Sequence, residues 1–96
     1  MLTPWSEIIE LSEGCSVPLG RDHGFSDYAD RLTSSLYVSR AHVFLFVRDG
    51  LLFARDHGSH NGTARNGDLL TAHEDVALEV GDALTLGGQE TFFVVR

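Results

Sequence analysis

The stretch VFLFVRDGLLFA, residues 43–54, decides the fold. Two runs of β-branched, aromatic and aliphatic residues, 43–47 and 51–54, lie on either side of Asp49 and Gly50. An Asp-Gly pair between two apolar runs is the strongest short-range signal for a β-hairpin, because both residues tolerate the positive φ angles of a tight turn. We therefore predict two antiparallel strands joined at Asp49 and Gly50.

Short apolar runs continue in both directions from this hairpin. Residues 5–11 and 17–19 precede it, and further runs follow at residues 69–70, 76–80, 83–86 and 91–95, bounded by Gly or Asp. The turn signals at 58–63 and at Asn66-Gly67 leave room for one very short strand between them. Many short strands separated by turn residues predict an all-β fold, a two-sheet β-sandwich.

Two secondary-structure predictions fit residues 25–32. Phe25, Tyr28, Ala29 and Leu32 stand at the i, i+3, i+4 and i+7 positions of an amphipathic helix of about two turns. A strand over residues 25–29 followed by a loop through Ser34 fits equally well. We favour the strand and loop, because periodicity over so short a window is weak.

Length and composition limit the domain organisation. With 96 residues, 43% hydrophobic and 22% charged, residues 1–96 predict a single globular domain, which we expect to be a fragment of a larger protein. No apolar run reaches the roughly 18 residues of a membrane span, so no membrane partner is expected. The first ten residues lack the pattern of a secretory signal, and one cysteine, Cys15, suits a reducing compartment. We expect an intracellular protein.

The charge balance argues against nucleic acid as a partner. The formal net charge is −7, and all seven basic residues are arginines scattered along the chain. Binding to nucleic acid depends on neutralising many phosphates at once, and no basic patch is present. The lack of lysine removes the phosphate-loop signature, and no GxGxxG motif occurs. No cofactor is predicted.

Three short motifs carry the candidate chemistry: Gly20-Arg21, Ser39-Arg40-Ala41-His42, and the loop GSHNGT at residues 58–63. Each places hydrogen-bond donors on or beside small residues, which suits the binding of a compact anion. The plainer alternative makes the arginines solvated surface residues, Ser39 a turn residue, and His42 a core histidine with satisfied hydrogen bonds. In that alternative, residues 58–63 form only a turn.

In this order along the chain, the motifs resemble the forkhead-associated (FHA) domain, a module that recognises phosphothreonine in partner proteins. The opening Thr3-Pro4-Trp5 and the pair Asp56-His57 are similar to FHA domains of DNA-damage checkpoint kinases. The resemblance covers nearly the whole chain and implies a sandwich of about eleven short strands with the binding loops at one end. It rests on Leu19-Gly20-Arg21, Val38-Ser39-Arg40-Ala41-His42, residues 56–63, Asn66-Gly67, Val80-Gly81-Asp82 and Leu86-Gly87.

The resemblance also implies roles for individual residues. Arg21 would reach the phosphate with its guanidinium, Ser39 would add a hydroxyl, and Arg40 would add further donors. Asn61 would hold the peptide main chain. This chain has His60 where the family usually has a threonine that contacts the phosphate, and His60 is included among the binding residues. Support of the site falls to Gly20, His42, Gly62 and Thr63.

The function expected from the resemblance is phosphothreonine-dependent binding of protein segments from signalling or DNA-damage-response partners. It implies a nuclear location and no enzymatic activity, and it leaves phospho-dependent homo-oligomerisation open. Tyr37 favours an apolar pocket for the third residue after the phosphothreonine.

Two alternatives come from other classes. One is a domain of the same fold that dimerises or binds an unphosphorylated surface. The other is an enzyme that uses Ser39 and His42 as nucleophile and base, or Asp56, His57 and His60 as a metal site. The enzyme is disfavoured, because strand residues three apart face opposite ways and no strong third metal ligand is evident.

Overall fold

A computed structural model of the protein describes residues 1–95, and its two antiparallel sheets confirm the predicted all-β sandwich. One sheet has the strand order β1-β2-β3-β6 and the other β5-β4-β7-β8. Within the described residues there are eight strands, fewer than the eleven expected, and one helix, α1. The strands are β1 Ser16–Leu19, β2 Val43–Arg48, β3 Leu51–Asp56, β4 Thr63–Arg65, β5 Asp68–Leu69, β6 Asp75–Leu78, β7 Ala83–Leu86 and β8 Glu90–Phe93.

The β2–β3 hairpin confirms the prediction made from residues 43–54. The strands pair in antiparallel register from Val43 opposite Asp56 to Arg48 opposite Leu51. Asp49 and Gly50 have φ angles of 54° and 74°, the positive values that a tight two-residue turn requires. The strands predicted near 17–19, 69–70, 76–80, 83–86 and 91–95 are also present, and β4 is the very short strand expected between two turns.

The hydrophobic core lies between the two sheets. In β2, Val43 and Leu45 are fully buried, whereas the alternate Phe44 and Phe46 are only half-buried, as the two-residue period of a strand dictates. Each fully buried aliphatic or aromatic side chain stabilises the fold by about 1.5–3 kcal/mol relative to exposure. The fully buried core side chains of the sheets are Leu19, Val43, Leu45 and Ala54 on one side and Leu84, Leu86 and Phe92 on the other.

The strand predicted over residues 5–11 was wrong. The chain turns there: the backbone N–H of Thr3 donates to the Glu7 carbonyl at 2.8 Å, and Ser6 between them has a φ of 67°. Apolar residues in this segment do not alternate strictly with polar ones, so no single face could be buried as a strand.

The strand and loop favoured for residues 25–32 were also wrong. The segment forms turns followed by α1, a single helical turn over Ala29–Leu32 whose Ala29 and Leu32 side chains are buried. Phe25 belongs to no strand, and its ring packs against Phe44 with centroids 5.1 Å apart. Of the four residues at helical spacing, Ala29 and Leu32 are buried, whereas Phe25 and Tyr28 are only partly buried. No helix within residues 1–95 is long enough to cross a bilayer.

Asp82 joins the β4–β5 turn to the start of β7. Its carboxylate accepts hydrogen bonds from the backbone N–H of Glu79 at 2.8 Å, from Asn66 Nδ2 at 2.9 Å and from Arg65 Nε at 2.7 Å. These donors, led by the Glu79 N–H, lower the pKa of Asp82 from 3.8 to about 2. The ionised form is therefore the one that the fold stabilises.

We expect the stabilisation contributed by Asp82 to depend on pH. Because its pKa is lower in the folded state, the contribution is complete above about pH 3.8 and is lost as the pH falls towards 2. Urea unfolding of the wild type and of Asp82→Asn between pH 2 and pH 6 measures it. The wild type should be the more stable above pH 4, and the difference should shrink at lower pH. A difference that stayed constant with pH would contradict this account.

Candidate functional site

The segments that carry the sequence motifs meet at one end of the sandwich. Pairing between β1 and β2 continues past the strand ends: the N–H of His42 donates to Leu19 O at 3.0 Å, and the N–H of Arg21 donates to Ser39 O at 3.1 Å. A third bond runs from the Asp22 N–H to Arg40 O at 3.1 Å. Arg21, Ser39 and Arg40 are therefore held on adjoining backbone segments.

Gly20 allows this close approach. A Cβ atom at this position would lie 2.0 Å from the carbonyl oxygen of Arg40 and 3.1 Å from that of Ser39. Both are backbone atoms, so neither can move aside without breaking the hydrogen bonds of Arg21 and Asp22. Only glycine fits where the end of β1 passes this segment.

The His42 imidazole joins the two loops. Its side chain is fully buried; Nδ1 accepts the backbone N–H of Ser39 at 2.9 Å, and Nε2 donates to the carbonyl of Gly62 at 2.8 Å. Burial lowers the pKa of His42, although the Gly62 hydrogen bond and the Asp56 charge act in the opposite direction. The ring is therefore held neutral with its proton on Nε2, the only tautomer that satisfies both contacts.

Asp56 organises the loop between β3 and β4. Its buried carboxylate accepts the Ser59 hydroxyl at 2.5 Å, the Ser59 N–H at 3.0 Å and the Thr63 hydroxyl at 2.6 Å. Burial by itself raises the pKa of Asp56, but the hydrogen bonds from Ser59 and Thr63 and the nearby His42 together lower it. A buried, ionised carboxylate fixes both ends of this loop.

Ser39 presents its hydroxyl at the surface between the loops. Its Oγ accepts the backbone N–H of His60 at 2.9 Å, which leaves the hydroxyl proton available for an incoming acceptor. The His60 side chain is exposed, and its part in this link is made by its backbone. The structure thus brings Ser39 and His60 together.

Arg21 and Arg40 line a shallow concavity of about 280 Å³, together with Asp22 and His23. Arg21 Nε donates to the carbonyl of Val38, which fixes the direction of the guanidinium and leaves its terminal nitrogens uncommitted within residues 1–95. Arg40 is exposed, and its guanidinium has no protein hydrogen-bond acceptor in the same part of the chain. Two cations with free donors on one concavity favour an anionic ligand.

Asn61 and Gly62 are the last two residues of the β3–β4 loop, directly before β4. Asn61 is exposed, and its Nδ2 donates to the carbonyl of Tyr37 at 3.0 Å. Gly62 has a φ of 82°, which glycine adopts without strain, and its carbonyl accepts both His42 Nε2 and the Gly87 N–H at 2.9 Å. Asn61 is thus presented to solvent on a loop that is tied down on both sides.

Neither enzyme-like arrangement considered from the sequence is formed. Both ring nitrogens of His42 are engaged by backbone groups, so the ring cannot act as a base towards the Ser39 hydroxyl. The carboxylate of Asp56 is occupied by hydroxyl and amide donors. Among the described residues, no three His, Cys, Asp or Glu side chains are grouped to hold a metal ion.

Sequence reasoning gave Asp56 a role only as a metal ligand in the disfavoured enzyme, and it gave Ser59 no role of its own. Asp before a loop rich in Gly and Ser carries a usable signal, because an Asp carboxylate often accepts hydrogen bonds from the turn that follows it. The second missed feature, the hydrogen bond from Arg21 to the Val38 carbonyl, has no signal in the sequence, since it depends on the approach of two distant segments.

Comparison with known proteins identifies the family. The family model of the FHA domain matches residues 17–87, the greater part of the chain. The chain belongs to the FHA domain family. The resemblance seen in the motifs is therefore confirmed. No curated protein sequence matches the chain.

Solved FHA structures share this fold. The FHA domain of CT664 protein from Chlamydia trachomatis is 24% identical, with a TM-score of 0.81 over 95% of this chain and 85% of that one. The FhaA FHA domain, complexed with the intracellular domain of Rv3910, is 29% identical, with a TM-score of 0.69 over 91% and 87%. The MEK1 FHA domain in complex with the HOP1 pThr318 peptide is 21% identical, with a TM-score of 0.76 over 94% and 89%.

We expect His42→Ala to destabilise this FHA domain. The substitution removes a fully buried ring and leaves the Ser39 N–H without its acceptor, at a cost of about 2–4 kcal/mol. His60→Ala is the matched control, because the His60 side chain is exposed and should change stability by less than about 0.5 kcal/mol. Urea unfolding of both variants measures the difference. Equal stability of the two would show that the imidazole does not hold the loops.

The close approach at Gly20 gives a second expected outcome. Gly20→Ala should lower the free energy of unfolding by about 1–3 kcal/mol, because the new methyl group overlaps the Arg40 carbonyl. Gly24→Ala is the control, since a Cβ there would meet nothing nearer than Asp22 Oδ1 at 3.5 Å. Thermal unfolding compares the two. The steric argument fails if Gly20→Ala melts at the same temperature as Gly24→Ala.

Proposed function

We propose that this FHA domain binds phosphothreonine-containing segments of partner proteins. The observation that carries the proposal is the guanidinium of Arg21, fixed through Nε to the Val38 carbonyl beside a concavity that it shares with Arg40. An arginine held in one direction loses little conformational entropy when it binds a phosphate, and its terminal nitrogens suit paired phosphate oxygens. A phosphate dianion would place its negative charge beside the guanidinium groups of Arg21 and Arg40.

The other loop residues supply complementary chemistry. The Ser39 hydroxyl already accepts the His60 N–H, so it would act towards phosphate as a donor. Asn61 keeps its carboxamide oxygen and one amide proton for the main chain of a bound peptide, while its other contact goes to Tyr37 O. The segment that carries Ser39 would then bind the phosphate, and the β3–β4 loop that carries Asn61 would bind the peptide backbone.

Family membership supports the same function. In one related structure, the MEK1 FHA domain holds the HOP1 pThr318 peptide, and in another the FhaA FHA domain is bound to the intracellular domain of Rv3910. By similarity to the family, the threonine methyl group would fill a small apolar pocket and give selectivity over phosphoserine. That pocket would contribute about 1–2 kcal/mol.

Two finer parts of the expected function stay predictions. Partners in the DNA-damage response and a nuclear location come from the resemblance to checkpoint kinases, and the intracellular location comes from the lack of a secretory signal pattern and the single cysteine. The exposed Tyr37 beside Asn61 supports a preference for an apolar residue on the C-terminal side of the phosphothreonine. Screening an oriented library of phosphothreonine peptides identifies that preference directly.

Arg21→Ala tests the function. The variant should bind the phosphothreonine peptide selected from the library at least about 30-fold more weakly, a loss of about 2 kcal/mol, because charge-assisted hydrogen bonds to the phosphate are removed. The backbone bonds of Arg21 remain, so circular dichroism should show an intact fold. Isothermal titration calorimetry gives the affinities.

Arg31→Ala serves as the matched control, because it removes the same charge from α1, away from the concavity. It should bind within twofold of the wild type. Binding of an unphosphorylated peptide with equal affinity, or an Arg21→Ala variant that binds like the control, would instead favour an FHA fold that recognises an unphosphorylated surface.

A further inference from the structure

The outer face of the β1-β2-β3-β6 sheet is unusually apolar. In an antiparallel sheet with one face in the core, the other face normally carries polar side chains. In β2 and β3 the core-facing Val43, Leu45 and Ala54 are fully buried, so the alternate residues face outward. Three of these are phenylalanines, and the register sets Phe46 directly opposite Phe53 and Phe44 opposite Arg55. We call Phe44, Phe46, Phe53, Arg48 and Arg55 the aromatic face.

Two arginines lie over the rings of this face. Phe46 and Phe53 are stacked with centroids 5.4 Å apart; the Arg48 guanidinium carbon is 4.6 Å from the Phe53 centroid, and that of Arg55 is 5.3 Å from the Phe46 centroid. Asp75 faces both arginines, at 2.6 Å from Arg55 Nε and 3.3 Å from Arg48 Nη1. Arg55 donates to Asp75 only through Nε and Arg48 only through Nη1, so the other guanidinium nitrogens of both arginines have no protein partner within residues 1–95.

A groove gives this face a place for a ligand. Its volume is about 480 Å³, with Phe44, Phe46, Arg48 and Arg55 on one side and the chain before β1 on the other. Glu13 also lines the groove, but its carboxylate accepts the backbone N–H groups of the β2–β3 turn at 2.9 Å and 2.8 Å. The guanidinium nitrogens that Asp75 does not use are therefore the hydrogen-bond donors open to a partner.

The aromatic face is continuous with the anion site. Phe25 packs on Phe44 at 5.1 Å, and its N–H donates at 2.9 Å to the carbonyl of Asp22, which lines the concavity of Arg21. From there β2 runs away from the site for six residues, a distance of about 17–20 Å. An extended segment of about eight residues would reach from the anion site to Arg48.

We propose that the aromatic face is a second contact surface for the phosphorylated partner, and that it takes an acidic segment with apolar side chains next to the phosphothreonine. This proposal depends on the proposed function in one respect, namely that the same phosphorylated partner occupies the anion site and the aromatic face. The uncommitted guanidinium nitrogens favour the carboxylates of acidic residues, and the phenylalanine rings supply the surface for apolar ones. Because Arg48 and Arg55 already lie over the rings, carboxylates would bind beside the apolar contacts.

Synthetic peptides test the proposal. The selected phosphothreonine peptide is extended at either end by an eight-residue tail of two glutamates and two leucines, repeated once. Control tails replace the leucines with serines or the glutamates with lysines. The glutamate–leucine tail at one end should tighten binding about tenfold over the untailed peptide, and neither control tail should reach that gain. Calorimetry measures all affinities.

Charge reversal then locates the tail. Arg48→Glu should abolish the gain while binding of the untailed peptide is unchanged, and Arg31→Glu should keep the gain, because it makes the same charge change on α1. A tailed peptide that bound no tighter than the untailed one, at either end, would overturn the second surface and leave the phosphothreonine function standing.

A separate measurement tests the aromatic face in the event that the proposed function is wrong. If no phosphothreonine peptide binds, the glutamate–leucine tail alone is titrated at millimolar concentration and followed by amide chemical shifts. Shifts confined to β2 and β3 and lost in Arg48→Glu would support the surface by itself, although not its use by a phosphorylated partner. Absence of shifts would overturn the proposal.

Discussion

The imidazole of His42 is the contact on which the rest of the site depends. One ring, fully buried, accepts from the backbone of Ser39 and donates to the carbonyl of Gly62. The same Gly62 carbonyl also accepts from Gly87, so the contact reaches the second sheet. A lysine or arginine could not replace the ring, because neither can accept a hydrogen bond. Burial keeps the ring neutral, so the junction puts no buried positive charge behind a site suited to anions.

The site combines this rigid support with exposed groups that are left unsatisfied by the protein. Behind the surface, every buried side-chain nitrogen or oxygen of the described residues has a hydrogen-bond partner. At the surface, Arg40 and the terminal nitrogens of Arg21 have no protein partner among residues 1–95, although the chain as a whole is acidic. Such preorganisation favours binding. The conformational entropy of ordering these loops is lost when the domain folds, so it does not reduce the affinity for the ligand.

The sequence predicted the parts of the fold that depend on local pattern. The β2–β3 hairpin followed from Asp49-Gly50 and the runs beside it, and most other strands followed from short apolar runs between turns. Residues 5–11 and 25–32 were predicted wrongly, because local turns satisfy their backbone groups and packing against distant segments, rather than strand pairing, places their side chains. Phe25, for example, is placed by the ring of Phe44 rather than by strand pairing.

The candidate residues were likewise found by motif, while their arrangement was not. Arg21, Ser39, Arg40, His60 and Asn61 do lie on the loops at one end of the sandwich, but the fixed direction of Arg21 comes from the Val38 carbonyl seventeen residues away. From the sequence, Asp56 was named as part of a motif and as a metal ligand in the disfavoured enzyme, and not as the buried carboxylate that holds the loop. Hydrogen bonds between distant segments depend on the completed fold, so periodicity and spacing do not reveal them.

The central claim is that two loops joined through His42 form a ready-made phosphate site. A crystal structure of the domain with a bound phosphothreonine peptide tests it most directly. The account predicts phosphate oxygens within hydrogen-bond distance of the Arg21 guanidinium and the Ser39 hydroxyl, with both hydrogen bonds of His42 unchanged. A phosphate bound elsewhere, or loops rearranged so that His42 no longer contacts Ser39 and Gly62, would contradict it.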